Sequence, residues 1–574
     1  MLLPSYKSII DYVLISYIHI MYEIDMPFVN GLKEFDEISV VSSVLRRCGG
    51  YFIETNNLSS HLYTVIIEEL FALMMKKRII LEYHLERRRQ RSGKLKKPEE
   101  FIFENYINAY LRNADEIDDV MLVPITINYD RVFEGEQFPY ELLGEQKPQL
   151  SMFKFMKQFY YNKEKQGKVI VKYCKPISLK ATLKQFADKH NTTSKAIEQS
   201  VVANSDKFTH LKSQFVQELQ QEILLTLSDN LVIMSTALLS SVILSNRRGG
   251  FNEEELHKKM VWLYQEILAR GAMMSNNVPP TIATTRTALN LMRGYLERKK
   301  DIFAPLLTAK TDYKNVLMLS YYRNNLAHIF TNESYIACSL VAFGESISKE
   351  EGIPLQRVFD QTVFLASMLN DEFILREHIH SYESFLKFLA VMVTRGYITV
   401  DSGIVKITQT GEEPIKFLSS LLLPFIESYW ITLSFLSNMK QQISLPKNVF
   451  AQKIQWLAET LYHEGYLVHF DCCSLETIGN SLSKLVSLEI LTCMHTNYKQ
   501  QLPRKKFSNQ SDELTEYFVN PDITILKNLT ALYERMAFFK PMVAFKSGVM
   551  SIEHDIKRIL ASSLQQNTFV IGTM

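Results

Sequence analysis

The first 180 residues of the chain alternate between helix-like and strand-like spacing of hydrophobic side chains. Residues 36–50, "DEISVVSSVLRRCGG", have helical spacing and end at a glycine pair, after which "YFIET" has the composition of a short buried strand. Residues 59–78, "SSHLYTVIIEELFALMMKKR", place apolar side chains three and four positions apart. This segment begins with serine and ends in basic residues, so it predicts a helix whose last turn carries favourable cations.

Strand-like runs follow that helix. "IILEYHL" comes directly after it, and residues 120–129, "VMLVPITINY", and 168–173, "KVIVKY", are rich in β-branched side chains. Strand, helix and strand in succession predict an α/β layer with a largely buried sheet.

Helical spacing dominates the rest of the chain. Amphipathic segments such as "EELHKKMVWLYQEILARG" and "NVFAQKIQWLAETLYHEG" predict helices that end at glycine. Residues 396–408, "GYITVDSGIVKIT", are the main exception and predict a hairpin. The polar run 187–206 is the best candidate for a linker. We therefore expect an α/β domain over residues 1–180, a linker over 181–206 and a mostly α-helical domain over 207–574.

Composition restricts the class of protein. The 574 residues are 47% apolar and 22% charged, which is typical of a folded chain. The 64 basic and 62 acidic side chains leave a formal charge of +2, which gives no indication of a nucleic-acid partner. Six cysteines form no Cys-x-x-Cys pair, and this spacing indicates a reducing compartment and no zinc site.

Two apolar segments come near to the length of a membrane span. Residues 230–245 are short and rich in serine, and residues 417–436 contain Pro424 and Glu427. We expect both to be buried core helices rather than spans. The first residues, "MLLPSYKSIID", lack a basic segment before an apolar core, so they do not predict a secretory signal. Attachment to a bilayer surface stays open.

Four stretches of the α/β part carry the chemistry: "PSYKSIIDY", "LRRCGGYFIET", "LERRRQRSGK" and "VPITINYDR". In composition, order and spacing they resemble the four blocks of the glycerol-3-phosphate and dihydroxyacetone-phosphate acyltransferase family. Those blocks read His-Arg-Ser-x-x-Asp-Tyr, Gly-Ala-Phe-Phe-Ile-Arg-Arg, Glu-Gly-Thr-Arg-Ser-Arg-Ser-Gly-Lys and Val-Pro-(Ile or Val)-x-Ile-x-Tyr-Asp. Residues 320–340 resemble part of the family's helical C-terminal region, so the resemblance covers most of the chain.

The resemblance implies an α/β acyltransferase domain, a mixed sheet flanked by helices, before the helical domain. It also implies transfer of a fatty acyl group from acyl-CoA, as co-substrate, to the sn-1 hydroxyl of glycerol 3-phosphate or to dihydroxyacetone phosphate. This reaction takes place at a membrane surface and needs no cofactor or metal. Family members carry a segment before block one that we expect to be absent here, since Met1 precedes Tyr6 by five positions.

In the family, the block-one histidine takes the proton from the attacking hydroxyl, and the aspartate five residues later orients the imidazole. Here Asp11, Ser8 and the basic Lys7 match, but Tyr6 stands at the histidine position. A phenol with a reference pKa near 10 is deprotonated in roughly one molecule in a thousand at pH 7. The carboxylate of Asp11 would raise that pKa further. Loss of a general base costs on the order of 10²–10⁴ in rate, so Tyr6 is a poor substitute.

Blocks two and three, whose arginines hold the substrate phosphate in the family, differ too. Glu54 and Thr55 replace the two block-two arginines. A carboxylate about 4 Å from a phosphate would repel it by about 4 kcal/mol at an effective dielectric near 20. Block three has Arg87 and Arg88 in place of Gly-Thr. The resemblance assigns Asp11 and Tyr6 to the catalytic positions, and it assigns to substrate binding Lys7, Ser8, Glu86, Arg89, Arg91 and, from the matching block four, Pro124.

Two further histidines are considered as a base. His84 lies just before Glu86 on a strand that should reach the site, although a core or solvent-facing histidine is the simpler interpretation. His19 follows Asp11 by eight residues, about 12 Å along a helix, which is too far for a hydrogen bond. The basic run 87–97 is interpreted as a phosphate, CoA or anionic-lipid surface, or as a solvated loop.

Two hypotheses remain. The first is an active glycerol-3-phosphate 1-O-acyltransferase with an altered mechanism. The second is a catalytically inactive family member that binds lipid, acyl-CoA or a partner enzyme. Three blocks differ at chemically demanding positions whereas the surrounding strands persist, which favours the second. Residues 133–148 are closer to the glycerol-phosphate branch, so we expect the mitochondrial outer membrane, with endoplasmic reticulum or peroxisome as alternatives.

Overall fold

The computed structural model describes residues 1–31, 39–53, 61–86, 88–98, 100–145, 166–203, 206–300, 305–344, 352–438, 445–495, 515–520 and 522–539. The strands are β1 (Leu2–Pro4), β2 (Phe28–Asn30), β3 (Gly50–Tyr51), β4 (Leu81–Glu82), β5 (Met121–Tyr129), β6 (Val169–Tyr173), β7 (Ile177–Ser178), β8 (Val232–Ile233), β9 (Met273–Met274), β10 (Leu296–Lys299), β11 (Leu306–Ala309), β12 (Ile353–Pro354), β13 (Ile398–Asp401), β14 (Ile404–Ile407), β15 (Leu445–Pro446), β16 (Leu491–His495) and β17 (Thr515–Val519). The helices are α1 (Asp11–Met21), α2 (Ser39–Arg47), α3 (His61–Lys76), α4 (Glu100–Arg112), α5 (Phe138–Leu143), α6 (Leu179–Lys189), α7 (Ser194–Ala203), α8 (Asp206–Asp229), α9 (Ser235–Ser245), α10 (Glu253–Ala269), α11 (Ile282–Met292), α12 (Tyr313–Ala342), α13 (Leu355–Leu369), α14 (Tyr382–Thr394), α15 (Glu412–Ser437), α16 (Lys447–His463), α17 (Leu475–Ser487) and α18 (Ile523–Phe538).

One mixed sheet organises the amino-terminal part. Its strands lie in the order β3-β2-β4-β1-β5-β6, and β7 also pairs with β5. β3, β2, β4, β1 and β5 are parallel, whereas β6 and β7 run antiparallel to β5. The strands predicted at 120–129 and 168–173 are confirmed as β5 and β6. Of "YFIET", the structure describes residues 51–53, and Tyr51 belongs to β3; "IILEYHL" contributes the two residues of β4.

The order of the strands decides which helices share a face. Parallel crossovers are right-handed, so α1 and α2 cover one face of the sheet and α3 and α4 cover the other. Along β4 and the loop after it, Leu81, Tyr83 and Leu85 are buried in the same cluster as α3 and α4. Because side chains alternate along an extended chain, Glu82 and His84 point to the opposite face, toward α1.

Most of the described part of the predicted linker, residues 181–206, belongs to α6 and α7, and residues 190–193 lie between these helices. Leu183, Phe186 and Ile197 are buried in the cluster formed by α3 and α4. A few well-spaced apolar side chains are enough to attach these helices. Because the residues between them are polar, the sequence did not indicate an amphipathic helix here. The domain boundaries themselves stay predictions.

The helical part is built around α12 and α15, which pack against each other along with α9. Both apolar segments lie in this core: residues 230–245 contain β8 and α9, and residues 417–436 lie within α15. Among the described residues, α15 is the one helix long and apolar enough to cross a membrane, and 89% of its most apolar window is buried. The expectation of buried core helices is confirmed, as is the hairpin formed by β13 and β14.

Candidate functional site at the carboxyl edge of the sheet

Blocks one, three and four meet where the parallel strands β1, β4 and β5 end. Glu86 joins the first two blocks, because its carboxylate accepts hydrogen bonds from the backbone N–H groups of Tyr6 at 3.0 Å and Lys96 at 2.8 Å. The side chain of Gln90 donates a third at 2.6 Å. Burial raises the pKa of Glu86, and these hydrogen bonds oppose that effect. Glu86, predicted to bind substrate, therefore serves to hold the loops of the site together.

Asp11 holds the block-one turn. It is fully buried, and its Oδ2 accepts hydrogen bonds from the backbone N–H groups of Lys7 at 2.7 Å and Ser8 at 2.8 Å. The hydroxyl of Tyr129 donates to Oδ1. Burial raises the pKa of Asp11 to about 6, against the opposing effect of these hydrogen bonds. The carboxylate thus bonds to its own turn and to β5, and its assignment to a catalytic position stays a prediction.

Tyr6 is buried, and its surroundings favour the protonated phenol. Burial raises its pKa far above the ordinary value for tyrosine; the nearby Arg89 and a hydrogen bond with Tyr12 oppose that shift, and Asp11 and Glu134 add to it. That Tyr6 is a poor base stays a prediction from the sequence.

Two arginines of block three, Arg89 and Arg91, are already paired. The guanidinium of Arg89 donates to Glu134 at 3.0 Å and to Glu141 at 2.8 Å, and Arg91 donates to Glu141 at 3.0 Å. Ser8, also predicted to contact substrate, donates its hydroxyl to Glu134 at 2.7 Å. Sequence reasoning missed both glutamates, although they lie within the stretch that directly follows block four.

Lys7 has a different environment. Its ammonium group is buried and donates to two neutral amide oxygens, those of Asn128 at 3.0 Å and Asn325 at 2.7 Å. Burial lowers the pKa of Lys7 to about 8, although Asp11 and Glu86 act to raise it. Asn325 comes from α12, so block one meets the helical part at this cation. This contact was not predicted, because the two residues are far apart in sequence.

The rest of the basic run docks the block-three loop onto the helical part. Lys94 pairs with Glu372 and lies 4.4 Å from the ring centre of Phe425. Lys96 lies 2.6 Å from Glu476. This loop forms one wall of a narrow cleft, which is lined by Gly93, Lys94, Leu95, Ser228, Leu231, Asn324, His328, Phe373 and Ile374. The expected anionic-ligand surface is therefore largely an internal contact.

Pro124 has a structural position. It lies within β5 opposite Leu3 of β1, and its carbonyl accepts a hydrogen bond from the backbone N–H of Cys174 at 2.9 Å. Glu54, Thr55 and Arg87 lie outside the described residues. Within the part of the chain that the structure describes, no group of three or more His, Cys, Asp or Glu side chains is placed to hold a metal ion.

The fold defines a protein that joins an α/β layer, built on one mixed sheet, to a largely helical region. The family model described as "Glycerol-3-phosphate acyltransferase C-terminal region" matches residues 139–493. The chain therefore belongs to the glycerol-3-phosphate acyltransferase family.

Relatives from both branches of the family are similar to this chain. The dihydroxyacetone phosphate acyltransferases of Bos taurus and Homo sapiens are each 25% identical to it over 503 residues, which cover 85% of this chain and 71% of theirs. The glycerol-3-phosphate acyltransferase of Xylella fastidiosa (strain M23) is 26% identical over 450 residues, or 75% of this chain and 49% of the bacterial protein.

Proposed function

We propose that the protein transfers a fatty acyl group from acyl-CoA to a hydroxyl of glycerol 3-phosphate or dihydroxyacetone phosphate at a bilayer surface. The names of the similar proteins support these two acceptors, and they do not separate the two branches. The observation that carries the proposal is Lys7, a buried cation held by neutral oxygens at the edge where three blocks converge.

A phosphate group is the natural partner for this cation. Charge-assisted hydrogen bonds are roughly twice as strong as those between neutral groups, so a phosphate oxygen competes well with the amides of Asn128 and Asn325. Arg89 and Arg91 are less suited to the task, since Glu134 and Glu141 already compensate their charges. Phosphate binding would also favour the charged form of Lys7 and oppose the effect of burial on its pKa.

The second candidate is the catalytically inactive family member. Two features favour it: burial favours the protonated form of Tyr6 by raising its pKa, and the carboxylate of Asp11 accepts hydrogen bonds from its own turn and from Tyr129. Such a protein would bind lipid, acyl-CoA or a partner enzyme without turnover. Catalytic activity of the purified protein decides between the two candidates.

The test is acyl transfer by purified protein with acyl-CoA and each acceptor, compared between Lys7→Met and the wild type. Loss of one hydrogen bond to a charged group, about 1.5–3 kcal/mol, should lower kcat/KM for the phosphate-bearing acceptor roughly 10- to 150-fold. Lys97→Met is the matched control, because Lys97 is largely exposed and pairs only with Asp371 at the surface. Equal activities of both variants would contradict a phosphate site at Lys7, and an inert wild type would support the second candidate.

The bilayer part of the proposal rests on the outer side of α1. The apolar side chains exposed by at least 42% on α1 and the loop after it are Val13, Tyr17, Ile20, Met21, Tyr22, Ile24 and Met26. The carboxyl ends of α2 and α3 lie at the same edge of the sheet and expose four basic side chains, Arg46, Arg47, Lys77 and Arg78. The loop after α1 exposes two acidic side chains, Glu23 and Asp25. Apolar side chains with neighbouring cations suit an anionic lipid surface. The mitochondrial outer membrane is the location we propose, with endoplasmic reticulum or peroxisome as alternatives.

A further inference from the structure

A histidine and a carboxylate lie together beneath α1, beside the position of the family's base. Nε2 of His84 is 3.5 Å from Oε1 of Glu82. Glu82 is completely buried, and His84 is 7% exposed. Both side chains project from β4 and the loop after it toward the face of the sheet that α1 covers, which is also the face of Tyr6.

This pair leaves two polar atoms unsatisfied. Apart from the contact between Nε2 and Oε1, Nδ1 of His84 and Oε2 of Glu82 have no hydrogen-bond partner within the described residues. Buried polar groups are almost always hydrogen-bonded in folded proteins, so these two atoms call for a physical reason. A substrate hydroxyl that bonds to the imidazole supplies one.

The imidazole is adjacent to the family's catalytic position. The ring centres of His84 and Tyr6 are 4.8 Å apart, and those of His84 and Tyr12 are 4.6 Å apart. The imidazole of His84 is therefore in direct contact with Tyr6, the side chain that replaces the block-one histidine. Tyr12 covers it from α1, so this ring has to turn aside when substrate binds.

We propose that His84 is the proton acceptor of the acyl transfer and that Glu82 is its positioning residue. This inference rests on the proposed function. Glu82 favours the tautomer with a proton on Nε2, which leaves the lone pair of Nδ1 for the substrate. As the acceptor oxygen bonds to the thioester carbonyl carbon, Nδ1 takes the hydroxyl proton. The carbon–sulfur bond then breaks, and the imidazolium returns the proton to the departing CoA thiolate.

The main test is the acyl-transfer rate of His84→Phe, which keeps an aromatic ring between Tyr6 and Tyr12. Removal of the general base should lower kcat by 10²–10⁴-fold. His19→Phe is the matched control, because His19 is a buried imidazole on the same side of the sheet whose Nδ1 contacts the carbonyl of Asp25. We expect the control to keep its activity.

Glu82→Gln tests the positioning role through separate measurement of kcat and KM. The amide of glutamine can donate to Nε2 as well as accept from it, so the variant should lower kcat with little change in KM. An unchanged kcat in the folded variant would contradict the positioning role.

Thermal melting shows whether each variant folds. The double variant Tyr6→His/His84→Phe gives a second test, because it returns the imidazole to position 6. It should be more active than His84→Phe alone. An active wild type with an unimpaired, folded His84→Phe would overturn this inference and leave the proposed function standing. An inert wild type that gains activity with Tyr6→His would overturn both.

Discussion

The pKa of Asp11 is raised from 3.8 to about 6, which links its burial to stability. Between those two pH values the folded protein holds a proton on this carboxyl that the unfolded chain has released. Stability from this group is therefore complete below about pH 4 and is lost as the pH rises through 6. The change is about 3 kcal/mol, since one unit of pKa corresponds to about 1.4 kcal/mol.

Asp11→Asn should remove this pH dependence. The amide has no charge to bury. The free energy of unfolding of the variant minus that of the wild type should therefore rise by about 3 kcal/mol from pH 4 to pH 6. Urea unfolding across that range measures it. The other buried carboxyls titrate in both proteins, so their contribution cancels in this difference. A difference that stays constant with pH would show that Asp11 does not titrate in this window.

At the scale of elements, the block-three loop is held to the helical part by a buried ion pair. Lys94 pairs with Glu372, which also accepts hydrogen bonds from Tyr429 and Asn480, each at 3.1 Å. Gly93 has φ +79°, and a Cβ there would collide with the carbonyl oxygen of Tyr321. The loop can therefore approach α12 this closely only with glycine at position 93.

Glu372→Leu should destabilise the protein by about 3–5 kcal/mol, because it leaves the ammonium group of Lys94 buried without its carboxylate. The double variant Lys94→Met/Glu372→Leu should recover most of that loss, since no unpaired charge remains. Chemical unfolding of the single and double variants measures the two values. Two single losses that simply add in the double variant would contradict a coupled pair.

Sequence patterns predict elements well where periodicity is strong. The spacing in 59–78 gives α3, and the β-branched run 120–129 gives β5. The partners of the site residues do not follow from such patterns. Glu134 and Glu141 meet Arg89 only because residues 134–143 fold back on block three, and Asn325 meets Lys7 across more than 300 residues. The helices within residues 181–206 were not predicted, because their few apolar positions become meaningful only against α3 and α4.

At the scale of the molecule, the exposed side of α1 makes a prediction about lipid binding. We expect the protein to sediment with vesicles that contain anionic lipid more than with neutral vesicles, and added salt should reduce that binding. Ile20→Asp should weaken binding at least tenfold, because insertion of an isoleucine side chain contributes about 1.5–3 kcal/mol. Leu268→Asp on α10 is the control, since Leu268 is also exposed, by 45%, but belongs to a different helix. Equal effects of both variants would contradict docking through α1.

The most direct measurement is product formation by the purified chain with acyl-CoA and either glycerol 3-phosphate or dihydroxyacetone phosphate, followed by mass spectrometry. We predict a monoacylated phosphate product whose formation requires His84 and survives removal of the His19 imidazole. Absence of that product from correctly folded wild-type protein, with its appearance after Tyr6→His, would contradict the account and leave an inactive relative of these enzymes.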